Sequence, residues 1–144
     1  MKSVARIIAA AILLTGGAAL AEVEATNPTV IAWKNLMKQN GGAAKTLGDM
    51  AAGKAAFDAA AAEAAKQKLI EDAGQIPAAF KDQAEDPASE AKPEIWANWD
   101  DFTAKAAALG KAAEALDSSS LDGIKAGMGD IGGACKACHS SYKS

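Results

Sequence analysis

Apolar and polar positions in this chain recur with the three- and four-residue spacing that is typical of amphipathic helices. The first helix is predicted to begin at Asn27, a candidate N-cap, with Pro28 at its first helical position. Its inward stripe consists of Val30, Trp33, Met37, Gly41, Ala44 and Leu47. A second helix is predicted over residues 54–73, because alanine favours helices, although its apolar stripe is the weakest in the chain. That stripe consists of Phe57, Ala61, Ala65 and Leu69.

Two further helices are predicted in the second half of the chain. Residues 74–92 hold two prolines and clustered charges, which indicates a long connection. Pro93 starts a third helix with the strongest periodicity in the chain, and Ser119 and Asp122 have the capping-box spacing that predicts the start of a fourth. The third stripe is Ile95, Trp99, Phe102, Ala106, Leu109, Ala113 and Leu116. The fourth is Leu121, Ile124, Met128, Ile131, Cys135, Cys138 or His139, and Tyr142.

The four stripes and the lengths of the connections predict an all-α fold. No stretch alternates convincingly with the period of two that a strand would have. Short first and third connections place consecutive helices side by side, and the longer middle connection crosses one end of the domain. We therefore expect an antiparallel four-helix bundle, whose helices cross at about 20° and can hold a cofactor among their core side chains.

The start of the chain has the features of a secretory signal peptide. A cationic beginning precedes an apolar run at residues 7–14, and Ala19-Leu20-Ala21 fits a signal-peptidase site. The apolar run is shorter than the roughly 20 residues that span a bilayer, so a membrane anchor is the weaker alternative. We expect a cleaved signal peptide at residues 1–21, one domain at residues 22–144, export to the periplasm, and no membrane span in the mature protein.

Removal of the signal peptide makes the protein more acidic. It takes away Lys2 and Arg6 but no acid, so the 15 basic residues become 13 against 18 acidic residues, and the formal net charge becomes −5. Arg6 is the only arginine, so every cation of the mature surface is a lysine. This balance argues against nucleic acid as a partner.

Both cysteines of the chain and its only histidine lie within five residues, at Cys135, Cys138 and His139. C-x-x-C-H is the form that attaches c-type haem. Residues three or four apart share a helix face, so both sulfurs can reach the vinyl groups along one porphyrin edge while His139 presents its imidazole to the iron. Because the motif continues the apolar stripe of the fourth helix, we expect one covalent haem c, with its iron, in the bundle.

Three other interpretations of these cysteines stay open. A disulfide or thiol redox pair suits an oxidising compartment, but a redox C-x-x-C usually lies at a helix N-terminus, whereas this pair lies near a C-terminus. A zinc site needs a fourth ligand, which a carboxylate would have to supply because the chain has no further Cys or His. Cysteines that merely fill the core would leave His139 without a role.

Four glycines precede or adjoin the motif, at Gly127, Gly129, Gly132 and Gly133. Each costs about 1 kcal/mol relative to alanine in a helix interior. Close approach of a flat macrocycle to the backbone is one explanation for them, and fraying of the helix is the other.

With the haem motif at the end of a predicted bundle, the chain resembles the class II c-type cytochromes, the cytochrome c′ and cytochrome c-556 family. The resemblance covers nearly all of the mature chain, in "LMKQNGG" (36–42), "AKPEIWANWDDF" (91–102) and "GGACKACHSSY" (132–142). It implies that Cys135 and Cys138 form thioethers with haem and that His139 is the proximal iron ligand. Members of the family often pair through their first two helices, which makes a homodimer an option that the weak stripe at residues 54–73 neither supports nor excludes.

The residues alone leave the sixth iron ligand open. The chain has no second histidine, so a methionine, an exogenous ligand or nothing fills that position. Met128 shares a helix with His139, Met50 lies near a helix end, and Met37 lies on the first inward stripe, where methionine usually fills the core. The resemblance implies that Met37 is the distal ligand, because it occupies the position that supplies this ligand in low-spin relatives.

The chain departs from the family pattern at one place near the predicted haem. Many cytochromes c′ carry an arginine one turn before the distal position, close to a haem propionate, and here that place holds Trp33. Lys34 or Lys38 would then have to supply the positive charge.

The resemblance implies a periplasmic electron carrier that exchanges single electrons with redox partner proteins. A methionine ligand raises the reduction potential, and the acidic surface favours a partner with a basic docking face. The alternative is a five-coordinate protein that binds nitric oxide or carbon monoxide, with Met37 only a distal packing residue. The sequence contains no catalytic constellation, so we do not expect an enzyme.

Overall fold

The computed structural model describes residues 23–144, and the predicted signal peptide lies outside that part of the chain. Five helices are present in it, which are α1 (Pro28–Ala51), α2 (Ala59–Ala79), α3 (Glu94–Ala97), α4 (Trp99–Ala115) and α5 (Leu121–Tyr142). The four long helices pack in a ring, with α1 against α2, α2 against α4, α4 against α5, and α5 against α1. The predicted all-α four-helix bundle is therefore confirmed.

Side-chain caps fix where three of the long helices begin. Asn27 caps α1 as predicted, since its Oδ1 accepts the backbone N–H of Thr29 at 2.9 Å. The prediction for α5 was one residue early, because Ser120 is the cap and its hydroxyl accepts the N–H of Gly123 at 3.0 Å. Ser119 instead donates its N–H to Asp117, at 2.9 Å, and so belongs to the turn before the helix.

The second helix begins later and ends later than predicted. Asp58 caps it by accepting the N–H of Ala61 at 3.0 Å, so the chain before Asp58 is a connection rather than the first turn of a helix. Phe57 lies in this connection and is 37% exposed, so its predicted burial was wrong. At the other end α2 continues through Pro77 and ends at Ala79, two residues after the proline.

The third predicted helix is two helices, with a break at Asn98. The backbone of Asn98 has φ −125° and ψ 47°, outside the helical region. Its backbone N–H makes the last helical bond of α3, to the carbonyl of Glu94 at 2.9 Å. Its side-chain amide donates to the same carbonyl at 3.2 Å, and such side-chain bonds compete with helix continuation. The inward stripe is nevertheless buried as predicted, except for Trp99, which is half-buried.

The buried stripe of α1 differs from the predicted one. Leu36, Asn40 and Ala43 are buried, whereas Met37 is half-buried and Gly41 is exposed. The reason is that α1 contributes to two different surfaces, the bundle core and a cavity beside it. Met37 and Gly41 line the cavity, so their predicted inward direction is correct, although neither residue is fully buried.

The core consists of two clusters of side chains. The aliphatic cluster is made of Ala43, Leu47, Met50, Ala62, Ala65, Leu69, Ala73, Leu109, Ala113, Leu116, Ile124 and Ile131. The aromatic cluster is made of Val30, Trp33, Leu36, Ile76, Phe80, Ile95, Phe102, Ala106 and Tyr142. Cys135 packs against the first cluster and Cys138 against the second, so the cysteine motif lies where the two clusters meet.

Candidate functional site

A cavity of about 340 Å³ lies beside the aromatic cluster. Its walls come from α1, the end of α2, the connection before α3, α4 and the last turns of α5. Met37, Cys135, Cys138 and His139 all line it, so the fold brings together every residue that the sequence predicted for the haem site.

The last turns of α5 place the cysteines and the histidine at different depths. Both cysteines are free thiols and half-buried, and His139 is exposed. Burial raises the pKa of both thiols, whereas a redox-active pair needs a lowered thiol pKa, so the structure does not favour a thiol oxidoreductase. Partial removal of the ring from water, followed by the charge of Lys143, lowers the pKa of His139 and favours the neutral imidazole that binds metals.

The zinc alternative finds no support in the described part of the chain. Nowhere in residues 23–144 do three or more His, Cys, Asp or Glu side chains come together in a way that could hold a metal ion. Cys135, Cys138 and His139 would therefore lack the additional ligands of a structural zinc site.

Among the methionines in the described residues, Met37 is the one that lines the cavity. Met50 is buried in the aliphatic cluster, and Met128 packs against the same cluster close to Gly48 of α1. Met37 and Met50 have different environments because they lie in different parts of α1. Met37 lies in the first half of the helix, whereas Met50 lies near its C-terminal end.

Lysines supply the positive charge around the cavity. Lys34, Lys105 and Lys143 line it, whereas the other predicted candidate, Lys38, does not. Lys143 lies 3.0 Å from Glu90, and Lys105 lies 3.6 Å from Asp101. The cations are therefore distributed over three helices or helix ends rather than concentrated on α1.

Trp33 has a structural role at the wall of the cavity. Its indole N–H donates to the carbonyl of Ala79 at 2.6 Å, and its ring stacks on Phe80 with centroids 4.8 Å apart. Trp96 makes the corresponding bond to the carbonyl of Phe80, at 2.8 Å. The two indoles thus satisfy carbonyls at the C-terminal end of α2 and hold that end against the cavity.

A short backbone pairing holds the connection before α3 against the end of α5. Ala91 and Lys143 form an isolated antiparallel bridge, with Lys92 N–H donating to the carbonyl of Tyr142 at 3.0 Å and Ser144 N–H donating to that of Glu90 at 2.9 Å. We call this pairing the terminal clasp. It fixes residues 88–91 as a wall of the cavity, next to His139.

Sequence reasoning missed several polar side chains of the site. Asn40 is buried and lines the cavity from α1, Lys105 lines it from α4, and Lys143 lines it after the end of α5. Asn40 could have been found, because a polar residue one helical turn after Leu36 interrupts an otherwise apolar face. The contribution of residues 88–91 could not, since it depends on the terminal clasp between distant parts of the chain.

The four glycines that precede or adjoin the cysteine motif do not approach the cavity. None of them lines the cavity. A Cβ added at Gly127 would lie 3.1 Å from Leu116, so this glycine allows close packing of α5 against the end of α4. Gly129, Gly132 and Gly133 face open space, and the structure gives no reason for them.

The residues of the cavity fit a covalently attached haem. Its walls are mainly apolar, as the porphyrin face requires, and two half-buried thiols lie on one wall three residues apart. An imidazole and a thioether are available to an iron, and lysines are available to the propionates. Together the fold and the site define a c-type cytochrome built on a four-helix bundle.

Comparison with known proteins gives the particular family. The family model described as Cytochrome C′ matches residues 29–143, and the chain belongs to the cytochrome c′ family. Proteins of this family carry covalent haem c with iron, which is therefore the cofactor of this chain. In bacteria they are periplasmic proteins, and among the described helices of this chain none is both long and apolar enough to cross a membrane.

Relatives of both named types are found. A cytochrome c-556 of Agrobacterium tumefaciens (strain apple 185) is 40% identical over 114 residues, which cover 75% of this chain and 88% of the relative. A cytochrome c′ of Rhodopseudomonas palustris is 33% identical over 143 residues, covering 95% and 93%. A structural model of oxidised R. palustris cytochrome c556 superimposes with a TM-score of 0.74 at 31% identity, covering 83% of this chain and 98% of the other.

Proposed function

We propose that this cytochrome is a periplasmic electron carrier whose haem iron is bound by His139 and Met37. The observation that supports this proposal is that Met37 lines the same cavity as Cys135, Cys138 and His139. Met37 also packs against the aromatic cluster, but unlike the buried Met50 it is half-buried and borders the cavity.

Each residue has a defined role in this proposal. The thiols of Cys135 and Cys138 form the two thioether bonds that hold the cofactor, and neutral His139 binds the iron on the proximal side. Met37 offers a soft thioether on the distal side. When bound, haem supplies an iron that accepts and releases one electron, and this pair of ligands suits both oxidation states.

The net charge of the mature chain suits association with a basic partner protein. The mature chain, which we propose begins at Glu22 after export, has a formal net charge of −5 and would associate with a periplasmic redox protein that presents a basic face. Pairing of two copies through α1 and α2 stays a prediction.

The oxidised protein provides the test of Met37. We expect a low-spin optical spectrum with the weak long-wavelength band of sulfur-to-iron charge transfer. In Met37→Leu this band should disappear and the iron should become high-spin, because leucine keeps the apolar volume but offers no ligand. Met50→Leu is the matched control, since it makes the same change in α1 within the aliphatic cluster and should leave the spectrum unchanged.

A different result would favour the gas-binding alternative. If the wild-type protein is high-spin when oxidised and binds carbon monoxide readily when reduced, Met37 is a packing residue and the ligand assignment is wrong. The same conclusion would follow if Met37→Leu and Met50→Leu had identical spectra.

A further inference from the structure

Asn40 is a buried polar side chain in a mainly apolar cavity. It is only 7% exposed, and it lies on α1 three residues after Met37. Its side-chain nitrogen donates to the carbonyl of Leu36 at 3.2 Å. Its side-chain oxygen is buried and has no hydrogen-bond partner among residues 23–144. A buried acceptor without a hydrogen-bond partner destabilises the folded protein. We therefore expect a donor to bind this oxygen.

The orientation of the Asn40 amide is fixed by the helix. If its nitrogen and oxygen were exchanged, Oδ1 would face the carbonyl oxygen of Leu36, and two acceptors cannot bond to each other. The donor must therefore come to Oδ1. Other donors that line the same cavity are engaged elsewhere. The indole of Trp33 donates to Ala79, and the hydroxyl of Tyr142 donates to Asp101 at 2.5 Å. Lys105 and Lys143 form ion pairs with Asp101 and Glu90.

Haem itself cannot satisfy this oxygen. Its ring carries only C–H groups at its edge, the thioether sulfurs have no proton, and ionised propionates are acceptors. A separate molecule with an N–H or O–H group is needed, and it must be small enough to share the cavity with the cofactor.

We propose that Asn40 is the anchor of a binding site for a small neutral molecule that donates a hydrogen bond, about one helical turn from Met37. This inference rests on the haem site proposed above. Water is the resident occupant, and small N–H compounds such as imidazole compete for the same position. Ligands without a donor gain no hydrogen bond from Asn40. The site therefore selects small molecules by whether they can donate a hydrogen bond rather than by their size.

Two ligands that differ by one donor test this proposal. Imidazole has a free N–H when its other nitrogen binds iron, and 1-methylimidazole does not. We would titrate each into the oxidised, haem-loaded protein and follow the optical spectrum. The measurement is made in the Met37→Ala background, so that the thioether does not compete. The ratio of the two dissociation constants measures the contribution of the imidazole N–H to binding. A change in access to the iron would affect both ligands and would cancel in this ratio.

Asn40→Leu should reduce the preference for imidazole about fivefold to tenfold, the effect of losing one buried hydrogen bond. Asn35→Leu, the same substitution at an exposed position of α1, should leave the ratio unchanged. An unchanged ratio in Asn40→Leu, or an equal change in both variants, would overturn the inference.

A second measurement does not depend on that variant folding. In the wild-type haem-loaded protein, the side-chain amide protons of Asn40 should show magnetisation transfer from a long-lived water molecule by NMR. If no such water is detected, the proposal is overturned. Failure of the Met37 assignment is recognised separately, by the missing sulfur-to-iron band, and leaves both measurements on Asn40 interpretable.

Discussion

Trp33 combines two interactions that are usually made by different residues. Its ring lies nearly parallel to that of Phe80, with an interplanar angle of 10°, and its N–H satisfies the Ala79 carbonyl. Stacking stabilises the aromatic cluster, and the hydrogen bond closes the C-terminal end of α2. Trp33 therefore stabilises the cavity wall in two ways.

Trp33→Phe should separate these contributions. The ring and its stacking are kept, but the Ala79 carbonyl loses its donor, so we expect the free energy of unfolding to fall by about 1–2 kcal/mol. Denaturant unfolding of the haem-loaded protein gives the value. Trp99→Phe is the control, because within the described residues Trp99 makes a ring contact with Phe102 but no indole hydrogen bond. Equal losses in both variants would mean that the hydrogen bond contributes nothing.

At the scale of helices, the apolar periodicity predicted the buried faces of the helices better than it predicted where they begin and end. The stripe from Phe102 to Leu116 was predicted correctly because its apolar spacing is regular over more than four turns. The start of α2 was predicted wrongly because an alanine-rich segment shows no contrast between a buried and an exposed face. The helix begins where Asp58 caps it. The break at Asn98 could not be read from the pattern, since the stripe continues through it.

The start of α1 is tied to the connection before α3 through one carboxylate. Asp86 accepts backbone N–H groups of Asn27 at 2.8 Å, Ala88 at 2.8 Å and Thr26 at 2.7 Å. These bonds lower the pKa of Asp86 from 3.8 to about 2. The contact links the first residues of α1 to the segment that becomes a wall of the cavity.

The low pKa of Asp86 predicts how stability depends on acid. Its contribution is fully present above pH 3.8, the value in the unfolded chain, and is lost as the pH falls through about 2, because the unfolded state binds the proton first. Asp86→Asn should therefore be less stable near neutral pH and should lose less additional stability between pH 4 and pH 2. Thermal unfolding at a series of pH values measures this.

Asp82→Asn, an exposed aspartate in the same connection, is the control for the acid titration. It should follow the wild-type pH dependence between pH 4 and pH 2. If Asp86→Asn also kept the wild-type dependence, the three backbone bonds would not act through the charge of the carboxylate.

For the whole molecule, the position of the cavity makes one half of the core depend on the cofactor. The aromatic cluster shares most of its members with the cavity wall, whereas the aliphatic cluster contributes Leu109 to it and lies mainly elsewhere. The C-x-x-C-H motif predicted Cys135, Cys138 and His139, and the family resemblance predicted Met37. The sequence could not predict this division of the core, which arises from how the four long helices pack in a ring.

Removal of haem should therefore loosen the molecule unevenly. We expect Cys135→Ala/Cys138→Ala to lack covalent haem and to lose about tenfold more amide hydrogen-exchange protection in the aromatic cluster than in the aliphatic cluster. The backbone amides of Trp33 and Phe102 report on the aromatic cluster, and those of Leu69 and Ala113 report on the aliphatic cluster. Uniform loss across the bundle would show that the two clusters form one cooperative unit.

The terminal clasp also has a practical consequence. Because Ser144 bonds to Glu90 through both its backbone N–H and its hydroxyl, any peptide fused after it would emerge at the rim of the cavity. An affinity tag or fluorescent reporter at that end would crowd the entrance and could be mistaken for a change in ligand access. Attachment at the connection between α1 and α2 avoids this, since residues 52–58 are exposed and none of them lines the cavity.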